Sequence, residues 1–138
     1  VDVRARIPGT QCPRCMADRG AEGIKIRVGE GETMRARPPV RNDYSTAFGQ
    51  LNFGKNSLVL DLKSPESIEA VRRLVASADI LVENFRPGVM RRLKLDFASL
   101  RGLNPGLIYC SISGYGQTGP SADFPAYAPV IHAPPGYE

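Results

Sequence analysis

The 138-residue chain has no tryptophan, one histidine and three cysteines, and each scarcity removes a class of chemistry. His132 is the lone histidine, and one Cys-x-x-Cys pair without a second knuckle cannot close a four-ligand zinc site within one chain. No metal centre is expected. No Ser-His-Asp arrangement is visible, and His132 stands in an irregular proline-rich tail, so it is not read as a base. No apolar run approaches the ~20 residues of a membrane span, so no membrane partner is expected. No charged-then-apolar leader is visible. That and the low cysteine count point to a reducing cytoplasm. The chain starts at Val1 rather than Met, so its N-terminus is read as trimmed or cut from something longer.

A strong excess of one charge is also missing. The net charge is +4, all of it from residues 1–42, which carry nine Lys/Arg against five Asp/Glu; the remainder balances at nine and nine. The arginines are scattered among acids rather than clustered with aromatics on one element, which disfavours a nucleic-acid partner. A phosphate-rich small molecule suits the balance at least as well. With 42% apolar and 23% charged residues, the chain has the composition of one globular domain over 1–138 with a real core.

Cys12 and Cys15 form a Cys-Pro-Arg-Cys pair, and Cys110 stands alone in an apolar run. A thiol-redox role is one reading, because a Cys-x-x-Cys at a helix start lowers a thiol pKa. The other is ordinary free thiols, favoured because the preceding VDVRARIP is a poor strand.

Hydrophobic periodicity orders the rest. Residues 1–6 read as a short strand. Pro8-Gly9-Thr10 reads as a turn, with Thr10 capping a helix over 11–19 that Gly20 ends. Residues 21–28 alternate as a strand. Residues 29–56 read as a long polar connection with Gly29, Gly31, Pro38, Pro39 and Gly54, a length that often marks function. SLVLDL over 57–62 is a strand. Ser64-Pro65-Glu66 then starts a helix over 65–77, with Ile68, Val71, Leu74 and Val75 on one face and Glu69 placed to pair with Arg73. Ile80 to Val82 is a short buried strand. Asp96 caps a short helix with Phe97, Leu100 and Leu103 facing inward, stopped by Asn104-Pro105. Residues 107–113 are a buried strand that ends in the glycine-rich turn Gly114-Tyr115-Gly116-Gln117-Thr118-Gly119-Pro120. The last 18 residues look irregular. This succession predicts an α/β fold with a mostly parallel sheet flanked by helices.

The stretch DILVENFRPGVMRRL, residues 79–93, carries the richest chemistry. Ligands of open α/β sheets sit beyond the carboxyl ends of strands. There this sequence places Asn84, Phe85, Arg86, Arg91 and Arg92, suited to an anion with a flat ring. Two readings stand. In one, Asn84 takes a left-handed turn conformation and Phe85 packs into the core. In the other, Phe85 stacks on a ring, Arg86 takes phosphate and Asn84 a polar edge. Arg91 and Arg92 also fit a solvated helix face. Lys63, after the 57–62 strand, fits a phosphate contact or a plain surface lysine. The glycine-rich turn lacks a following helix, so a Rossmann pyrophosphate site is not expected there. Asp123 reads as a turn residue.

LVENFRPGVMRRL, NSLVLDLKSPE, LNPGLIYCSISGYGQTGPSADFPAY, CMADRGAEGIKI and GEGETMRARPP run in order over nearly the whole chain. Together they resemble the family III CoA-transferases, which include formyl-CoA and carnitine-CoA transferases and the related α-methylacyl-CoA racemases. The resemblance covers the N-terminal portion of a typical member. It implies a Rossmann-like α/β domain, part of a larger fold whose two chains interlock as a homodimer. It also implies a CoA thioester and a carboxylic acid as substrates, and no permanently bound cofactor. By position, Lys63, Asn84, Phe85, Arg86 and Arg92 would line the CoA site. In the family an aspartate attacks the acyl-CoA carbonyl to give a mixed anhydride. That aspartate falls beyond Glu138 by this resemblance, so no catalytic residue is assigned.

Departures from the family pattern are also present. Tyr127 stands where racemase members have a histidine base, and the commonly acidic next position is Ala128; both argue against racemization. Pro8-Gly9-Thr10 replaces Ala-Gly-Pro, Arg27 replaces an acid, and Arg19 replaces a leucine on a helix face, which weakens packing if buried. Three readings follow: the front portion of an acyl-CoA:carboxylate CoA-transferase, a non-catalytic fragment or pseudoenzyme with a partial CoA-binding or dimerization role, and a thiol-redox protein using Cys12 and Cys15.

Overall fold

The computed structural model describes residues 1–3, 7–27 and 33–126. Five parallel strands form one sheet: β1 (Asp2–Val3), β2 (Gly23–Arg27), β5 (Lys55–Val59), β6 (Ile80–Glu83) and β7 (Ile108–Ser111). The spatial order is β5-β2-β1-β6-β7. A two-stranded antiparallel hairpin, β3 (Val40–Arg41) and β4 (Tyr44–Ser45), stands apart from it.

Successive strand residues face opposite sides. Asp2 and Lys25 therefore look one way, and Val3 and Ile26 the other. The first side is covered by α1 (Ile7–Ala17) and α2 (Thr46–Asn52): Lys25 Nζ donates to Thr10 Oγ1 and Asn52 Oδ1, and Lys55 Nζ to the Thr10 carbonyl. The second side carries the apolar core. Val3, Ile26 and Leu81 pack there with Val71 and Val75 of α3 (Pro65–Ala76), Met90 of α4 (Val89–Arg92), Leu95, and Leu100 of α5 (Phe97–Leu100). The predicted face of α3 is the one that packs: Val71 and Val75 are buried, and Ile68 and Leu74 lie against the cluster. Ser64 caps α3 by accepting the Ser67 N–H, and Glu69 pairs with Arg73 at 3.6 Å.

Several elements differ from the sequence reading. The Pro8-Gly9-Thr10 turn is the first part of α1. Proline costs nothing in a first helical turn, where its N–H would be unpaired anyway, and Thr10 is buried against Lys25 rather than serving as a cap. Arg19 lies beyond the end of α1, exposed, donating to the Cys15 carbonyl, so no burial cost arises. Gly20 does end the segment, at φ +91°.

The strand expected over 57–62 is β5, three residues earlier in its last position, because Lys55 pairs with Gly23 and its ammonium is buried against Asp2. A charged residue at a strand start hides this from a hydrophobicity pattern. The segment read as a long polar connection holds a 3₁₀ turn (Thr33–Ala36), the hairpin and α2. Asn42 and Asp43 both have positive φ, +49° and +59°, which is the two-residue hairpin turn those residue types favour. Ser45 then caps α2 through the Phe48 N–H.

Phe97 and Leu103 were expected inside, but are exposed; only Leu100 of that helix is buried. The Asp96 carboxylate accepts the Ser99 hydroxyl and caps no backbone N–H at this helix start. Asn104 closes the end of α3 instead, donating to the carbonyls of Val75 and Ala78.

Among the described residues, the buried Tyr109 hydroxyl is unpaired. Tyr109 stands on β7 and packs edge-on against Phe97. Burial first, then the Glu83 and Asp96 carboxylates, push the phenol well above its ordinary value of 10.0. Removing an unsatisfied buried hydroxyl is expected to help: Tyr109→Phe should raise the unfolding free energy by about 1 kcal/mol at pH 7. A phenol whose folded pKa is raised stabilises the fold below its unfolded value, and that contribution fades as pH rises beyond it. A melting series from pH 7 to 11 should therefore show the parent losing stability above pH 10 and the variant losing less.

Candidate functional site

The chain winds outward from β1 through β2 to β5, with α1 on one face. It then returns across the other face through α3 to place β6 on the opposite side of β1. The strand order thus reverses between β1 and β6. In open α/β sheets the crevice beyond the carboxyl ends at such a reversal is where ligands bind. Asn84, Phe85 and Arg86 are the residues that leave β6 at that point.

They surround a cavity of about 250 Å³ with Pro87, with Ile112, Ser113 and Gly114 from the end of β7, and with Ala122, Phe124, Pro125 and Ala126 from the turn that follows. No carboxylate is among these described residues. The walls are tied together. Asn84 Nδ2 donates to the Ile112 carbonyl at 2.7 Å, and the Ile112 N–H donates to the Glu83 carbonyl at 2.9 Å. The Glu83 carboxyl is buried, accepts the Phe85 N–H at 2.7 Å, and accepts the Ser111 hydroxyl.

Of the packing reading, the part about Phe85 holds and the part about Asn84 does not. Phe85 is half-buried against the core and still lines the cavity. Asn84 does not take a left-handed conformation; Gly88, at φ +81°, does, and it precedes α4. Asn84 has two amide N–H donors and a carbonyl acceptor, so the bond to Ile112 leaves one donor and the acceptor for a ligand. Arg86 is exposed at the rim.

Lys63 and Arg92 are not in this cavity wall. Arg92 is exposed on α4. Lys63 is exposed four residues past β5, its N–H bonded to Asp61. It shares the carboxyl edge of the sheet, but β5 lies three strand spacings from β6, about 14 Å. Tyr127, Ala128 and His132 lie outside the described residues. The glycine-rich turn supplies backbone wall rather than a helix start: Gly116 and Gly119 have φ +83° and +97°, and no helix follows among the described residues. The missed wall residues had a signal in that turn, which follows β7 as the NFRP turn follows β6.

The thiols sit elsewhere. Cys12 lies within α1 rather than at its start, and burial, then the neighbouring Cys110 thiol, push it above its ordinary value. That is the opposite of activation. Among the described residues no cluster could hold a metal ion, and no helix is long and apolar enough to cross a membrane. Another cavity, about 300 Å³ and mainly apolar, opens near the amino ends of β1, β2 and β6 between Met16, Leu74 and Ile80. It lies away from the strand ends where the topology places ligands.

The fold is an α/β domain of the Rossmann-like, doubly wound type with a cleft at its strand-order reversal. The chain belongs to CoA-transferase family III, whose model matches residues 1–137. It is 40% identical over 145 residues to a succinate–glutarate CoA-transferase of Agrobacterium fabrum, covering 99% of this chain and 36% of that protein. It is 45% identical over 137 residues to an acetyl-CoA:oxalate CoA-transferase of Acetobacter aceti, covering 99% and 35%. A crystal structure of a CAIB/BAIF family protein from Brucella suis superposes with a TM-score of 0.87 at 38% identity, over 95% of this chain and 36% of that one. The chain thus spans about a third of the length of the relatives it matches.

Proposed function

We propose that this chain is the CoA-binding portion of an acyl-CoA:carboxylate CoA-transferase, which moves CoA between a thioester and a free carboxylic acid. The observation that carries this reading is the family match over residues 1–137 together with the grouping of Asn84, Phe85 and Arg86 around one cavity at the strand-order reversal. CoA offers an adenine ring for Phe85 and phosphates for the Arg86 guanidinium, which binds such groups in a fixed fork. Drug-sized ligands occupy about 300–1,000 Å³, so a cavity of about 250 Å³ suits one part of CoA rather than all of it. Lys63 and Arg92 would meet other parts of the extended molecule.

In this reading CoA enters and leaves as a thioester substrate, with no resident cofactor. The nucleophile is an aspartate outside these 138 residues. It attacks the acyl carbonyl, the C–S bond breaks, CoA leaves as thiolate, and the mixed anhydride is resolved by CoA and the acceptor acid. The working enzyme is a cytoplasmic homodimer.

Calorimetric titration of CoA into the purified chain tests the binding half. Arg86→Ala should weaken CoA by about 10- to 100-fold, the worth of one charge-assisted contact. Equal affinity for both proteins would remove Arg86 from the site. The chain alone is expected to transfer no CoA between an acyl-CoA and a free acid, and turnover by it would overturn the assignment of the nucleophile.

A further inference from the structure

Glu83 is the anomaly of this site. It is 3% exposed, yet it makes no salt bridge among the described residues. A buried carboxyl without a cation is costly to keep and is retained only where its hydrogen bonds matter. Its two bonds are informative. One oxygen takes the N–H of Phe85, the next residue but one and a wall of the cavity. The other takes the hydroxyl of Ser111, its register partner on β7. The next residue, Asn84, ties the same strand end to the Ile112 carbonyl. Consecutive residues 83 and 84 thus fasten the tips of β6 and β7 together, beside the strand-order reversal. The backbone leaves β6 through the one N–H that Glu83 holds.

We propose that Glu83 is the positioning residue of this cavity: by bridging the Phe85 N–H and the Ser111 hydroxyl it fixes where Phe85 and Arg86 stand. It touches no ligand itself. The proposal rests on the CoA reading above, and it concerns reach rather than charge. A glutamine keeps the reach: its carbonyl can accept from Phe85 and its amide can donate to Ser111 Oγ. An aspartate keeps the charge but is one methylene too short to span both partners.

CoA is titrated into the full chain carrying Glu83→Gln, Glu83→Asp or Arg86→Ala, with circular dichroism giving the folded fraction of each. Glu83→Gln should bind CoA within about threefold of the parent and Glu83→Asp about tenfold more weakly, since a misplaced contact forfeits a charge-assisted hydrogen bond. A residue that only held the fold together would lower the urea midpoint and leave the affinity of the folded molecules unchanged. Parent-like affinity in Glu83→Asp overturns the proposal. Loss in Glu83→Gln with retention in Glu83→Asp also overturns it, in favour of charge. Either result leaves the CoA reading standing as long as Arg86→Ala is weakened. If the parent itself takes no CoA, or Arg86→Ala binds as well as the parent, the CoA reading fails and the proposal with it.

Discussion

Replacing Lys55 with alanine is expected to lower the unfolding free energy by about 3–5 kcal/mol, the cost of breaking a buried ion pair by removing one partner. Lys55 opens the edge strand β5, and its ammonium reaches across β2 to Asp2 on the central strand β1, at 3.1 Å, with each side chain 1% exposed. It also donates to the Thr10 carbonyl of α1 at 2.8 Å. One side chain therefore links two strands and a helix, and alanine would leave the Asp2 carboxylate buried without it. Urea unfolding followed by circular dichroism should show a midpoint lowered by roughly 2 M at an unchanged slope, given slopes of about 1–3 kcal/mol per molar. A double variant, Asp2→Asn with Lys55→Met, should recover part of the loss, because it leaves neither charge behind. A shift under about 1 kcal/mol for the single variant would mean that the pair is solvated in solution.

Leu81→Ala is expected to cost about 2–5 kcal/mol, the range for emptying a leucine site in a packed core. Leu81 is fully buried in the middle of β6, in one cluster with Val71 and Val75 of α3 and with Val3 of β1. The strand is pinned by neighbours on both sides, β1 and β7, so it cannot collapse into the space. The upper half of the range is therefore expected. Because β6 carries Asn84, Phe85 and Arg86 on its end, CoA affinity should fall with it as the folded population shrinks. An exposed counterpart, Arg73→Ala on the same unfolding assay, should stay within about 0.5 kcal/mol, since its pair with Glu69 is solvated.

The sequence by itself determined the elements whose signals are local. Ser64-Pro65 and the spacing of Ile68, Val71, Leu74 and Val75 fix the start and the buried face of α3. The apolar run ending in Val82 fixes β6, and Gly20 fixes the end of the first helical segment. Apolar strands joined by amphipathic helices determine a parallel α/β sheet, because short parallel strands can be connected only by crossovers. The run Asn84-Phe85-Arg86 after that strand marked the turn that lines the cavity, while Arg92 stands outside its wall.

Tertiary structure alone decided the rest. Residues 1–6 read only as a short strand, yet β1 is the centre of the sheet, because β2 and β6 on either side supply its backbone partners. Lys55 falls within the polar 29–56 connection of the sequence reading, and only the sheet brings Asp2 beside it. Phe97 reads as core and is exposed, because α5 is too short to bury more than Leu100. The reversal of strand order between β1 and β6 cannot be read from a linear pattern, since it depends on which side of β1 the chain returns to. That reversal sets Asn84, Phe85 and Arg86 around one cavity and leaves Lys63 three strands away.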